Sequence, residues 1–329
     1  MNQKPAVVLT LLLLASLALL ALGVSVGSTG LDWSHDSSEM AHQILWQIRL
    51  PRSLGAWLAG ALLGLSGAVA QGLFRNPLAD PYLLGSSAGA GLGVALSMAL
   101  IGTSVGANLW LQRLGLTGAA FAGTVGGVLL TLLLARGVEH TLRLLLAGVV
   151  VGVVLAAITS LLMLMQPDIM RTMQSFMLGA TGFLSWSSVV IMSVALCLSL
   201  LVALGASRAL DALSLGDATA RSLGVRLSLV RVVLIAAFAL ATGTAVAQAG
   251  MIAFVGLVAP HLVRNYCSTT HGKLLLLSSC SGGVLLLGAD ILARGLLAPQ
   301  ELPVGIITAI IGGSYLLWLM HRATRRRQA

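Results

Sequence analysis

Long apolar runs, separated by short polar connections, set the pattern of this chain. Runs of about 20 residues, the length that spans a bilayer as a helix, fall near 5–27, 53–73, 115–135, 143–165, 187–207, 229–249, 274–293 and 303–321. Two shorter, glycine-rich runs near 84–108 and 251–263 bring the count to ten. The pattern predicts an all-α, polytopic membrane protein with ten transmembrane helices in a single domain, residues 1–329. Glycines spaced as G-x-x-x-G recur at Gly60 and Gly64, Gly85, Gly89 and Gly93, Gly102 and Gly106, Gly123 and Gly127, and Gly148 and Gly152. In lipid such spacings let helix backbones approach closely, so they argue for a tightly packed bundle. Between the second and third spans, Pro77 and Pro81 in RNPLADPYLLG forbid a continuous helix and predict a shaped turn at the cytoplasmic boundary.

Composition supports the same class. Only 9% of the residues are charged and 57% are hydrophobic, against about 25% charged in a soluble domain. A net charge of +9 would point a soluble protein toward nucleic acid, but here the basic residues sit in short loops between apolar runs, so nucleic acid is not expected as a partner. Charge instead sets orientation. With both termini cytoplasmic, fourteen basic residues fall inside, among them Lys4, Arg75, Arg231, Arg264 and the C-terminal Arg322, Arg325, Arg326 and Arg327. Five fall outside: Arg49, Arg52, Arg113, Arg171 and Arg294. The run from Pro5 to Val26 is longer than the core of a cleaved signal and reads as an uncleaved first span. Cys197, Cys267 and Cys280 have no metal-site spacing, and no disulfide or bound metal is expected.

The stretch Arg208 to Arg231 is a polar island between two apolar runs, with four arginines and two aspartates. Asp217 is placed to cap a short helix, Asp217 to Leu223, that Gly224 ends in a left-handed conformation. Two helical turns are not stable alone in water, so this helix must pack on something. It reads either as a cytoplasmic handle for a soluble partner or as an ordinary charged loop. On the outer side, the first loop carries Asp32, His35, Asp36, Glu39 and His42, followed by Arg49 and Arg52, with Pro51 suited to a first helical turn. The outer segment 166–188 predicts a partial helix dipping back toward the membrane. Its Met170, Met173 and Met177 either fill gaps between helices or face a passing solute. Asp290 and Arg294, four residues apart, suit an ion pair on one helix face. His261, after Pro260, reads as a ligand, a proton relay, or a histidine satisfied by a backbone carbonyl.

No catalytic constellation is present. His271-Gly272-Lys273 lacks the upstream glycine of a phosphate-binding loop, where Cys267 stands, and no serine or threonine follows the lysine. The chain is therefore expected to bind no cofactor and hydrolyse no ATP itself. Intramembrane ionisable residues reduce to Asp290 near one surface, which argues against an ion-coupled carrier.

From about Arg49 to the C-terminus the chain resembles the permease subunits of bacterial ABC importers for iron chelates, haem and cobalamin, the FecCD/BtuC-like family. Four ordered motifs carry the resemblance: QIRLPRSLGAWLAGALLGLSGAVAQGLFRNPLADPYLLGSSAGAG, LSLGDATARSLGV, FVGLVAPHLVR, and ADILAR followed by ELPVGIITAIIGG. It implies a ten-helix bundle in the bacterial inner membrane, paired with a second copy around a central path. It also implies two ATPase subunits inside, carrying ATP and Mg, and a periplasmic binding protein outside.

Residue by residue, the resemblance makes 208–228 the coupling helices, with Asp217, Ala220, Arg221, Leu223 and Gly224 seated in the ATPase groove. It makes Arg49, Arg52 and Arg294 the docking charges for the binding protein, and puts the inner gate at Thr141 and Leu142. Leu142 is apolar where the cobalamin branch is expected to carry a small polar residue. Thr270-His271-Gly272-Lys273 replaces the family's aspartate-histidine-arginine run, and Gly312-Gly313-Ser314 its final GGP, which removes a proline from the last helix. These departures and the methionines, as candidates to line the path, lean the expected cargo toward haem or a ferric siderophore. Cobalamin is the alternative, and a secondary transporter working without ATP is a more distant one.

Overall fold

A computed structural model describes residues 3–27, 30–31, 39–101, 109–138 and 141–328. Asp32, His35, Asp36 and the Gly102–Gly106 pair lie outside the described residues, as do the side chains of Arg113 and of the four C-terminal arginines. Among the described residues the fold is helical apart from a two-residue antiparallel pairing of Val26–Gly27 with Gly30–Leu31. The helices are α1 (Pro5–Ser25), α2 (Glu39–Ile44), α3 (Leu50–Phe74), α4 (Ser86–Ile101), α5 (Leu109–Leu134), α6 (Thr141–Met165), α7 (Met170–Leu178), α8 (Trp186–Gly205), α9 (Ser207–Ser214), α10 (Asp217–Ser222), α11 (Leu227–Ala249), α12 (Val255–Tyr266), α13 (His271–Gly295) and α14 (Val304–Gln328). Among the described residues each of the ten apolar runs contributes a helix, and seven helical stretches are long and apolar enough to cross a membrane. The apolar stretches Ser86–Leu100 and Val304–Leu319 are shorter, and α12 has only 12 residues.

The second span begins earlier than its apolar pattern suggests. Helical backbone runs unbroken from Glu39 to Phe74 through a π-helical turn, Leu45–Arg49. Pro51 follows this turn. A proline ring collides with the carbonyl four residues back in α geometry, and a wider turn just ahead of it relieves that crowding. At its other end α3 stops at Arg75, which takes a left-handed conformation (φ 51°) just before Asn76-Pro77.

α3 is the axis of the bundle, buried over 89% of its apolar window, and α13, α11, α12 and α8 pack around it. The α3–α13 crossing is set by glycine. A Cβ on Gly60 would collide with the carbonyl of Gly282, and one on Gly64 with that of Ser278. The α4–α5 crossing repeats the device, with Gly89 and Gly93 against Gly123 and Ala119. Not every spaced glycine is used in this way: Gly148 lies against the Leu83 carbonyl, whereas Gly152 faces open space. Gly60→Ala is therefore expected to lower stability by about 1–3 kcal/mol through overpacking. Gly91→Ala, on the open face of α4, is expected to be neutral or to gain up to about 1 kcal/mol of helix propensity. Unfolding of the detergent-solubilised protein separates the two.

Two irregular segments meet inside the bundle. Between α11 and α12 the chain breaks at Gly250 and Phe254, with φ of 74° and 69°. The turn 75–85 reaches it from below: Tyr82 Oη donates to the Ile252 carbonyl (2.9 Å) and accepts from the Ile252 amide (3.0 Å). The turn is thus packed into the bundle, and Pro81 also fills the space beside Gly256. Non-helical backbone at this depth is tolerable because protein surrounds it, Ala79, Leu84 and Ile252 being buried. The last helix receives the strained Phe254 against Gly312. It runs on through Ser314 as one helix, consistent with the missing proline.

α1, α6 and α8 leave broad apolar faces uncovered, including Leu14 and Leu17, Val149 and Val153, and Val194 and Leu201. Such faces are stable only against lipid or another apolar surface.

Candidate functional site

At one end of the bundle, α9 and α10 form a compact pair. α10 closes as a Schellman motif: the Gly224 amide donates to the Arg221 carbonyl (2.9 Å) and the Val225 amide to the Ala220 carbonyl (3.0 Å). Gly224 sits at φ 82°, the left-handed conformation read from the sequence. The expected cap at the other end is different. Gly216, at φ 107°, holds the N-cap position, and Asp217 is the first helical residue with no capping bond. Two guanidinium groups claim its side chain instead: Arg231 Nη2 at 2.7 Å and Arg75 Nη2 at 3.4 Å. Charge-assisted pairs outweigh a neutral amide as partners for a carboxylate.

The coupling residues do not share one face. Arg221, Leu223 and Gly224 are exposed and Asp217 is half-buried. Ala220 is fully buried against the apolar cluster of Leu213, Leu227 and Leu234, so it anchors the helix and is not available to a groove on another protein. Leu215 and Leu223, each about two-thirds exposed at 66% and 63%, form an apolar margin around α10. α9 is held to α13 by Asp211, whose carboxylate accepts from the His271 backbone amide (2.9 Å) and meets its Nδ1 (2.7 Å). At the inner-gate position, Thr141 opens α6 and Leu142 is exposed.

At the opposite end of α3 lies a buried ionic cluster. Arg52 Nη1 reaches both oxygens of Glu301 at 2.9 Å, while its Nε and Nη2 donate to Asp290 Oδ1 at 3.3 and 3.2 Å. Arg294 Nε donates to Asp290 Oδ2 at 2.9 Å, and its Nη2 also contacts that oxygen. Thr181 Oγ1 donates to Asp290 as well. Arg294 further donates to the Gly23 carbonyl (2.9 Å) and to Ser53 Oγ (3.2 Å). Two cations and two anions balance. The predicted Asp290–Arg294 pair is present. The expected patch of three outward arginines is not, because Arg52 and Arg294 are buried in this cluster. Arg49 is half-buried and donates to the Val24 carbonyl (3.5 Å).

The outer segment 166–188 forms a 3-10 turn, Pro167–Ile169, and α7, which packs back on α4 and α14. Its methionines divide. Met173 is fully buried with Ala90, Val94 and Val246, the gap-filling role, and so lines no path in this conformation. Met170 and Met177 are exposed. His261 packs edge-on against Tyr315 (ring centroids 5.8 Å), and its Nε2 has no hydrogen-bond partner among the described residues, a carbonyl included. No group of three His, Cys, Asp or Glu side chains suited to a metal occurs among the described residues.

Comparison with known proteins accounts for this arrangement. The chain matches the FecCD transport family over residues 8–322. It is 42% identical to the vitamin B12 import system permease protein BtuC of Escherichia coli O17:K52:H18, over 96% of this chain and 94% of that protein. The BtuC of Shigella boydii serotype 18 matches with the same identity and the same coverage. Among solved structures, an inward-facing conformation of a metal-chelate type ABC transporter superposes with a TM-score of 0.86 at 28% identity, covering 97% of this chain and all of that one. PsaBC from Streptococcus pneumoniae, in complex with Fab, shares the fold at a TM-score of 0.57 and 16% identity, covering 80% of this chain and 88% of that one. A bundle of apolar helices crossed on glycine, a Schellman-closed helix pair at one end and a match along nearly the whole chain together place this membrane protein as an ABC importer permease belonging to the FecCD transport family.

Proposed function

We propose that this chain is the permease subunit of an importer whose cargo is a cobalamin. The observation that carries this reading is the 42% identity, over 96% of the chain, to permeases named for vitamin B12 import. The lean toward haem or a ferric siderophore rested partly on the methionines of α7, and that support weakens once Met173 is seated in the core. In the proposed assembly two copies face each other across the uncovered apolar helices, in the bacterial inner membrane with both termini cytoplasmic. ATP-binding subunits, carrying ATP and Mg, grip the α9–α10 pair from inside, and the exposed Leu215 and Leu223 supply apolar contact there. A periplasmic binding protein delivers the cargo outside. The chain itself contributes shape and no chemistry. Thr141 and Leu142, at the start of α6, narrow the inner end of the path.

The deciding experiment is uptake by proteoliposomes holding the chain with its ATP-binding subunits and binding protein. ATP-dependent accumulation of cyanocobalamin in preference to haem or a ferric siderophore is expected. Preference for either iron compound overturns the cobalamin assignment and leaves the importer intact.

Docking of the binding protein is proposed to use Arg49, with Arg52 and Arg294 holding the surface in shape behind it. Arg49→Glu is then expected to weaken docking more at low salt than at high salt, because attraction between the two proteins' charges before contact acts through solvent and is screened beyond about 10 Å at 0.1 M salt. Binding curves at two ionic strengths test this, and equal, undiminished docking at both rejects it.

A further inference from the structure

Arg231 has so far entered only as a partner of Asp217, yet it is an almost fully buried charge, 2% exposed on the first turns of α11. Its guanidinium joins three elements. Nη2 donates to Asp217 at 2.7 Å on α10, and Nη1 donates at 3.1 Å to the Val138 carbonyl, in the turn that leads from α5 into α6. Arg75, at the end of α3, reaches the other oxygen of Asp217. Just before Val138, Arg136 and Gly137 have positive φ of 55° and 101°. Val138, Leu144 on α6, Leu213 on α9, Ala220 on α10 and Leu234 on α11 belong to one apolar cluster that ties the same elements together. Packed clusters of this kind move as units and do not deform continuously.

We propose that Arg231 is the positioning residue that transmits displacement of the α9–α10 pair to the start of α6, and so to the inner gate at Thr141 and Leu142. The inference rests on the proposed coupling role of α10. A guanidinium suits the task because its donors are fixed in one plane, so the carboxylate and the carbonyl are held at a set separation. A lysine keeps the charge but offers a single nitrogen, which weakens the bridge without removing it. A methionine fills the volume and makes neither bond. Removing Arg231 does not strand Asp217, which keeps Arg75 and is partly exposed, so the variant is expected to fold.

The test uses the full complex with its ATP-binding subunits in liposomes. A reporter is placed by Leu142→Cys in a background where Cys197, Cys267 and Cys280 are alanine. Thiol labelling at 142 is expected to change about fivefold on ATP binding in the parent, the size of a typical coupling between sites. Arg231→Met is expected to abolish that change while ATP hydrolysis stays within about twofold, and Arg231→Lys to restore part of it. A merely structural role would lower complex yield and leave the ATP-dependent change intact. An undiminished change in Arg231→Met, or none in a parent complex that hydrolyses ATP, overturns the inference and leaves the importer reading standing. Failure of any ATP-binding subunit to associate with the parent chain overturns both.

Discussion

Asp290→Ala is expected to cost about 3–5 kcal/mol of stability, the range for removing one partner from a buried ion pair. Asp290 has no exposed surface and, among the described residues, is the only carboxylate that touches both Arg52 and Arg294. Without it, Arg294 keeps the Gly23 and Val26 carbonyls and the Ser53 hydroxyl, and its charge is buried with no anion in contact among the described residues. Glu301→Ala is expected to cost far less, on the order of 1 kcal/mol, because the Glu301 side chain is 35% exposed and water takes over part of its role. The double variant Asp290→Ala, Arg294→Leu should recover at least part of the loss, since the surviving Arg52–Glu301 pair is neutral. Reversible unfolding in mixed micelles measures all three. Equal losses for Asp290→Ala and Glu301→Ala, or no recovery in the double variant, would show that the cluster is not held by charge balance. The cluster joins the ends of α1, α3 and α13 to the loop before α14, so its loss should also loosen the outer surface on which a binding protein is proposed to dock.

These residues mark how far the sequence can be read. Helix positions were legible because apolar length and glycine punctuation are local signals. The Asp290–Arg294 pair was legible for the same reason, as a four-residue spacing on one helix. The partners of Arg52 were not, since Asp290 lies 238 residues away and Glu301 lies 249 away. Charge counting put Arg52 and Arg294 on the same side, and they do share one end of the bundle, but such counting carries no information about burial. The same gap appears at α10. Gly224 was readable from helix-end chemistry, whereas the capture of Asp217 by Arg75 and Arg231 depends on how α3, α10 and α11 come together. One signal was available: Arg231 stands inside the first turns of an apolar span, where an arginine needs a partner. Ala220 offered none, because a small residue on a two-turn helix fits either face.

Gly224→Val is expected to leave the bundle folded and to uncouple ATP hydrolysis from import. Val must either hold φ near 82°, at a cost of about 1–2 kcal/mol for a residue with a Cβ, or release the Schellman closure. A Cβ at this position meets nothing within 4 Å, so the damage is conformational and local to the end of α10. Release of the closure frees the carbonyls of Ala220 and Arg221 and displaces Leu223, the exposed apolar residue proposed to sit against the ATP-binding subunit. Since about 1.4 kcal/mol corresponds to a factor of ten in an equilibrium, transport per ATP hydrolysed should fall about tenfold. Gly224→Asn separates strain from side-chain bulk, because asparagine enters the left-handed region at little cost and should retain most coupling. Uptake and hydrolysis measured on the same liposomes decide the matter. If Gly224→Val transports as well as the parent with its ATP-binding subunits attached, α10 is an ordinary loop helix and the grip on the permease lies elsewhere. If the asparagine variant fails as badly as the valine variant, the open space around Gly224 matters more than its backbone angle, which would place a partner's surface directly against that Cα.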